Sequence, residues 1–188
     1  MNIAIIGWGS LLGDQRDLRI RSDWNSAGPS LPLEFARISC GNRLTLVIHC
    51  DAPLQNTYWA LSEFLTLDAA RENLEKREGT DSLGIHTVDS ADNRIGAISD
   101  IIFKIMQIWL SEREDIDAVI WTGLESNWHE KRGCGFSYKD ALDYLGELID
   151  KKEASAAEEY IRNAPVSIKT PLRRLIEEKY GWASLSRC

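Results

Sequence analysis

The chain predicts an α+β fold: a mixed, barrel-like β-sheet with surrounding helices and a helical C-terminal extension. Three observations carry this. Strand patterns crowd the first half, helical periodicity fills the last third, and a hairpin rather than a βαβ unit follows the first strand. At 188 residues the simplest organisation is a single domain. Residues 1–125 read as its core and 137–182 as a helical extension packed on it.

Residues 2–6 form an apolar run that ends in Gly7-Trp8-Gly9-Ser10-Leu11-Leu12-Gly13. A run this short, cut by glycine, predicts a buried strand entering a loop whose backbone approaches something closely. Residues 14–32 are charged and interrupted by Gly28, Pro29 and Pro32, so a long loop with at most a short helix is expected. Two alternating runs flank Gly41-Asn42, and 33–49 therefore reads as a β-hairpin. Residues 58–61 make a further short strand.

A helix is expected from about Leu67 to Arg77, with Leu67, Ala70 and Leu74 on one face and Gly79 as its stop. Residues 83–88 read as a strand. Isoleucines at 98, 101, 102, 105 and 108 with Trp109 set a helical rhythm over 96–113. Residues 118–122 are a buried strand by their β-branched content. Ser137 caps the next helix. Another covers about 152–163 and stops before Pro165. The last opens at Thr170-Pro171, a hydroxyl cap followed by proline at the first helical position, and ends near Gly181.

The balance of 22 basic against 29 acidic side chains gives a net charge of −7, which argues against nucleic-acid binding. No apolar run approaches the length of a membrane span, and no leader pattern is seen. Cys40, Cys50, Cys134 and Cys188 lack paired spacing and read as reduced thiols of a cytoplasmic protein. The histidines lack metal-binding spacing, so no metal site is expected. Most of the seven tryptophans are expected in the core.

The glycine turn admits two chemistries. Gly7-x-Gly9-x-x-x-Gly13 approximates a dinucleotide fingerprint, which needs a helix directly after the glycines and then a parallel strand. Neither follows, and a Rossmann-type nucleotide-dependent oxidoreductase ranks third among the readings. The other chemistry uses the turn's N–H groups to hold a small carboxylate or carbonyl substrate. A second segment, Arg77-Glu78-Gly79 at a helix end, supports it. A Cys–His pair drawn from His129 and Cys134 is conceivable, but nearness in sequence does not establish its geometry.

Together, a strand ending in Gly-Trp-Gly-Ser-Leu and a later Glu-Gly at a helix end resemble the γ-glutamylcyclotransferase superfamily. Its members carry a Tyr-Gly-Ser-Leu loop after the first strand and a Glu-Gly pair whose Glu is the catalytic acid/base. Trp8-Gly9-Ser10-Leu11 matches the loop, with Trp where Tyr is usual. Glu78-Gly79 matches the pair. His86 stands near the position of a family aromatic hydroxyl.

The resemblance implies an intramolecular aminolysis. A γ-glutamyl amine or peptide closes to 5-oxoproline and releases its amine. Glu78 is then the catalytic residue, and Gly7, Trp8, Gly9, Ser10 and Leu11 bind substrate, with His86 a further candidate. No cofactor is needed, because the substrate supplies its own nucleophile. The partner would be a small γ-glutamyl or amino-acid-like molecule, with neither nucleic acid nor membrane. A Glu at the negative end of a helix dipole, partly withdrawn from water, holds a proton more readily and suits transfer in both directions. The alternative is a non-catalytic small-molecule binding protein of the same fold, since fold alone does not fix function.

Overall fold

The structure is a computed structural model in which residues 1–185 are described. In chain order its elements are β1 (Ile3–Gly7), α1 (Ser10–Gly13), β2 (Ser30–Ser39), β3 (Arg43–Ile48), β4 (Leu54–Asn56), β5 (Tyr58–Leu61) and α2 (Leu67–Glu78). There follow β6 (Ile85–Asp89), β7 (Arg94–Ile95), α3 (Asp100–Ser111) and β8 (Ala118–Thr122). The chain closes with α4 (Trp128–Arg132), α5 (Tyr138–Asp150), α6 (Ser155–Asn163) and α7 (Pro171–Tyr180). The class is α+β. The described strands form two open sheets, ordered β5-β1-β8-β6-β7 and β3-β2-β4, and no closed barrel. Among the described residues two compact units result, one from residues 1–31 and 56–124, the other from 32–55 and 125–185.

In the first unit β1 is the hub. It pairs antiparallel with β5, Ile5 opposite Ala60, and parallel with β8, Ile5 beside Ile120. β6 runs antiparallel to β8, with His86 opposite Trp121. Because alternate strand residues face opposite sides, Ile3, Ile5, Ile85, Ala118 and Ile120 share one face. Ala70 and Leu74 of α2 close over it, together with Leu11 and Leu18. Trp109 of α3 meets Trp59 edge-on at 5.7 Å. Trp59 lies opposite Ile6, so α3 covers the other face. Ser99 caps α3 by accepting from the Ile102 N–H. The preceding residues 96–98 are a turn instead of the helix start expected there, with Gly96 at φ 108°. The buried stripe of α3 is Ile102, Met106, Trp109 and Leu110, while Ile101 and Ile108 are exposed.

In the second unit the hairpin turns through Gly41 and Asn42, both at positive φ. That is the conformation Gly and Asn adopt at least cost. A register shift between Phe35 and Arg37 bends β2. The Asn127 side chain accepts from the Ile38 N–H and donates to the Ile38 carbonyl, both at 2.9 Å. It thereby satisfies backbone groups that a neighbouring strand would otherwise pair. Ser137 and Thr170 cap α5 and α7 through their hydroxyls. Arg173, buried, donates to the carbonyls of Ile161, Ala164, Pro165 and Ile168. It supplies donors to carbonyl groups in the last turn of α6 and in the segment that follows it.

Five of the tryptophans are buried: Trp8, Trp109, Trp121, Trp128 and Trp182. Trp24 and Trp59 are half-buried. Cys40, Cys50 and Cys134 are free and exposed, and Cys188 lies outside the described residues. Among the described residues no helix is long and apolar enough to cross a membrane.

Candidate functional site

Strand direction assembles the site. β5 finishes beside the start of β1, with Leu61 opposite Ala4, so α2 begins at that end of the sheet. β6 begins beside the finish of β8, with Ile85 opposite Thr122. The helix joining them must run the length of the sheet. Its C-terminal turn, Arg77-Glu78-Gly79, is delivered to the edge where β1 ends at Gly7. Gly79 closes α2 in the left-handed conformation and donates to the Glu75 carbonyl at 2.8 Å, as a C-terminal glycine stop does.

Between the strand and α1 the chain turns on Gly9, at φ 73° and ψ −130°. That region is open to glycine and closed to most other residues. Gly7 is required for a different reason. A Cβ there would lie 2.8 Å from two atoms of the Trp24 six-membered ring. Trp8, Gly9 and Leu11 are buried, while Ser10 is half-buried. The turn is thus held from both sides, with Trp24 against Gly7 and Leu11 in the core beneath α2.

Arg77 ties the helix end to the turn. Its side chain is 3 % exposed and that of Glu78 is 17 % exposed. One terminal nitrogen donates to Glu78 Oε1 at 2.6 Å. The other donates to the Asp14 carbonyl at 2.5 Å and reaches the Ser10 hydroxyl at 3.4 Å. A planar guanidinium can bind several acceptors in fixed directions, so Glu78 is oriented by the same group that grips residues 10–14. Arg77 therefore contacts both Glu78 and the turn. Its bond to Asp14 left no trace in the sequence.

His86 is not part of this cluster. It follows Ile85 on β6 and so faces the opposite side of the sheet from α2. Its ring meets Trp121 at 5.8 Å. Gly96 and Gly123 flank it so closely that a Cβ on either would come within 2.2 Å of an imidazole atom. Glu78 is linked through Arg77 to Ser10 and Asp14 of the turn, and His86 stands apart from them.

Elsewhere, Cys134 bonds Asp140 at 3.5 Å. Local desolvation and that hydrogen bond raise its thiol above the ordinary value, the reverse of what a cysteine nucleophile requires. Among the described residues no group of three or more His, Cys, Asp or Glu side chains is arranged to hold a metal ion. The dinucleotide geometry does not form either. The segment Gly7–Gly9 leads into a helix of only four residues, Ser10–Gly13, and the next strand to join β1 in its sheet, β5, is antiparallel. No family model, no curated protein and no solved structure matches the chain.

Proposed function

We propose that the chain is a γ-glutamylcyclotransferase-like enzyme that converts a γ-glutamyl amine or peptide to 5-oxoproline and releases the amine. The observation that carries the reading is the Arg77 bridge. A mostly buried carboxylate, Glu78, and the glycine turn are tied together across more than sixty residues of sequence through one guanidinium. This reading takes residues 1–125 as the core of such a fold, with a barrel-like sheet, and 137–182 as an added helical extension. It also takes the protein as cytoplasmic and its partner as a small metabolite.

In the reaction the substrate's α-ammonium loses a proton to Glu78. The freed amine attacks the γ-carbonyl, closing a five-membered ring. Residues 7–11 cradle the substrate so that amine and carbonyl face each other, which supplies catalysis by proximity. Backbone N–H groups of the turn stabilise charge on the carbonyl oxygen as the tetrahedral centre forms. Glu78 then returns the proton to the departing nitrogen, the C–N bond breaks, the ring nitrogen gives its second proton to the released amine, and 5-oxoproline remains. One carboxylate serves as base and then as acid. Arg77 keeps it aimed.

The same ion pair favours a second reading. A carboxylate already engaged at 2.6 Å suits a non-catalytic protein that recognises an amino-acid-like ligand without turning it over. Incubation with γ-glutamyl-alanine, other γ-glutamyl dipeptides and glutathione, with 5-oxoproline measured, separates the two. Product from at least one supports the enzyme. Thermal stabilisation by these compounds with no product supports the binding protein.

A further inference from the structure

The second unit holds a cleft of about 510 Å³ between β4, the segment joining α6 to α7, and the residues that follow α7. That is within the size range of small-molecule sites. Hydrogen bonds fix its walls. The Gln55 side chain accepts from the Lys169 N–H at 2.7 Å, which ties β4 to the segment. Buried Arg173 donates to four carbonyls of residues 161–168 and holds the same segment to α7. The Ser184 hydroxyl reaches the Arg162 and Ala164 carbonyls at 3.4 and 3.5 Å. Walls held this way need little reordering when a ligand enters.

The lining divides by chemistry. Pro53, Val166 and Pro171 supply apolar surface. Lys169, Arg173 and Arg174 stand against one carboxylate, Glu177. The lining therefore carries two positive charges in excess, in a chain whose net charge is −7. Concave surfaces of one sign concentrate the opposite one. Lys169 is exposed and has no ion pair among the described residues. Arg174 meets Glu178 at 3.6 Å, with the two side chains 77 % and 63 % exposed. Such a solvated pair is weak and yields to a better anion. The backbone at the start of α7 is already satisfied. The Leu172 N–H donates to Glu34, and the N–H groups of Arg173 and Arg174 donate to Thr170. The donors left for a ligand are the cationic side chains.

We infer that this cleft binds a small organic dianion, its charged head on Lys169 and Arg174 and its apolar body against Pro53, Val166 and Pro171. Two head groups share that chemistry, a phosphate monoester and a dicarboxylate. The site shares no residue with the reaction proposed above.

The test is calorimetric titration of the full chain with phenyl phosphate, phenylsuccinate, benzoate and inorganic phosphate. Wild type should bind one or both of the phenyl dianions at least about tenfold more tightly than benzoate, which offers a single charge to two cations. It should bind phenyl phosphate at least about tenfold more tightly than inorganic phosphate, which has no apolar body to bury. The tighter of the two dianions identifies the head group. Lys169→Met and Arg174→Met should each weaken that dianion by about threefold or more, and the double variant by about tenfold or more. Val166→Asp, which brings a carboxylate into the cleft, should also weaken it by about tenfold or more. Lys104→Met, at an exposed lysine of α3, should bind as wild type does.

All of these positions are exposed, so each variant should melt within about 2 °C of wild type. No binding of either phenyl dianion at concentrations up to about 10 mM overturns the inference. So does inorganic phosphate binding as well as phenyl phosphate, benzoate binding as well as the dianions, or a loss in Lys104→Met equal to that in Lys169→Met. Release of 5-oxoproline depends on other residues, so the reaction proposed for Glu78 stands or falls separately.

Discussion

Replacing Arg77 by Met removes the guanidinium while keeping a flexible apolar stem of similar reach. Its magnitude follows from burial. The Arg77 side chain is 3 % exposed and Glu78 17 %, so solvent screens the pair only partly. Breaking such a pair from one side strands a carboxylate and costs about 3–5 kcal/mol. The Asp14 carbonyl loses its donor in the same step.

In a chain of this size, 1 kcal/mol moves the melting temperature by about 2–4 °C, so a fall of roughly 6–20 °C is expected. Urea unfolding followed by fluorescence and by circular dichroism gives the free energy and shows whether one transition or two occur. Arg77→Met with Glu78→Gln should lose less than the sum of the single variants, with a coupling of about 1–3 kcal/mol, because no charge is then left unpaired. A cost below about 1 kcal/mol for Arg77→Met, the range of a solvated pair, refutes the view that this guanidinium holds the helix end to the turn.

Two further outcomes concern the rest of the chain. Gly123→Ala brings a Cβ to 2.2 Å from His86 Nδ1 and should cost about 1–3 kcal/mol by overpacking. Adding His86→Ala should relieve part of that cost in chemical denaturation, and strict additivity would contradict the tight seat assigned to the imidazole. In the second unit Glu34 is buried, accepting from the Phe35 and Leu172 N–H groups, and burial raises its carboxyl above the ordinary 4.5. Below that value the folded and unfolded chains both carry the proton. As pH rises the unfolded chain ionises first, so stability falls until the folded carboxyl titrates as well. Relative to Glu34→Gln, wild type should therefore lose melting temperature as pH rises from about 4.5, and a difference that stays flat with pH would contradict this.

Much of this architecture was legible in local chemistry. Gly41-Asn42 marks the hairpin because both residues tolerate positive φ. Thr170-Pro171 and Gly181 bracket α7 because a hydroxyl, a proline and a left-handed glycine each satisfy one end of a helix. The start of α3 was misjudged because Ile98 fits the helical rhythm, whereas Ser99 is the residue that caps it. Strands β4 and β7 have three and two residues, too few to show a period.

At the candidate site, the turn and Glu78 were readable because glycines and a helix stop are local signals. His86 joins them only through the resemblance, as the residue near a family aromatic hydroxyl. Strand alternation sends it to the far face, and sequence spacing cannot reveal which face a strand residue takes until its register is known.

The most direct measurement is the rate of 5-oxoproline release from γ-glutamyl-alanine by wild type and by Glu78→Gln, with binding of the same compound followed by thermal shift. Wild type should release product, and Glu78→Gln should slow release by at least about a hundredfold while the ligand still raises its melting temperature. Equal rates in the two proteins, or no product from wild type with any γ-glutamyl compound, would contradict the role assigned to Glu78.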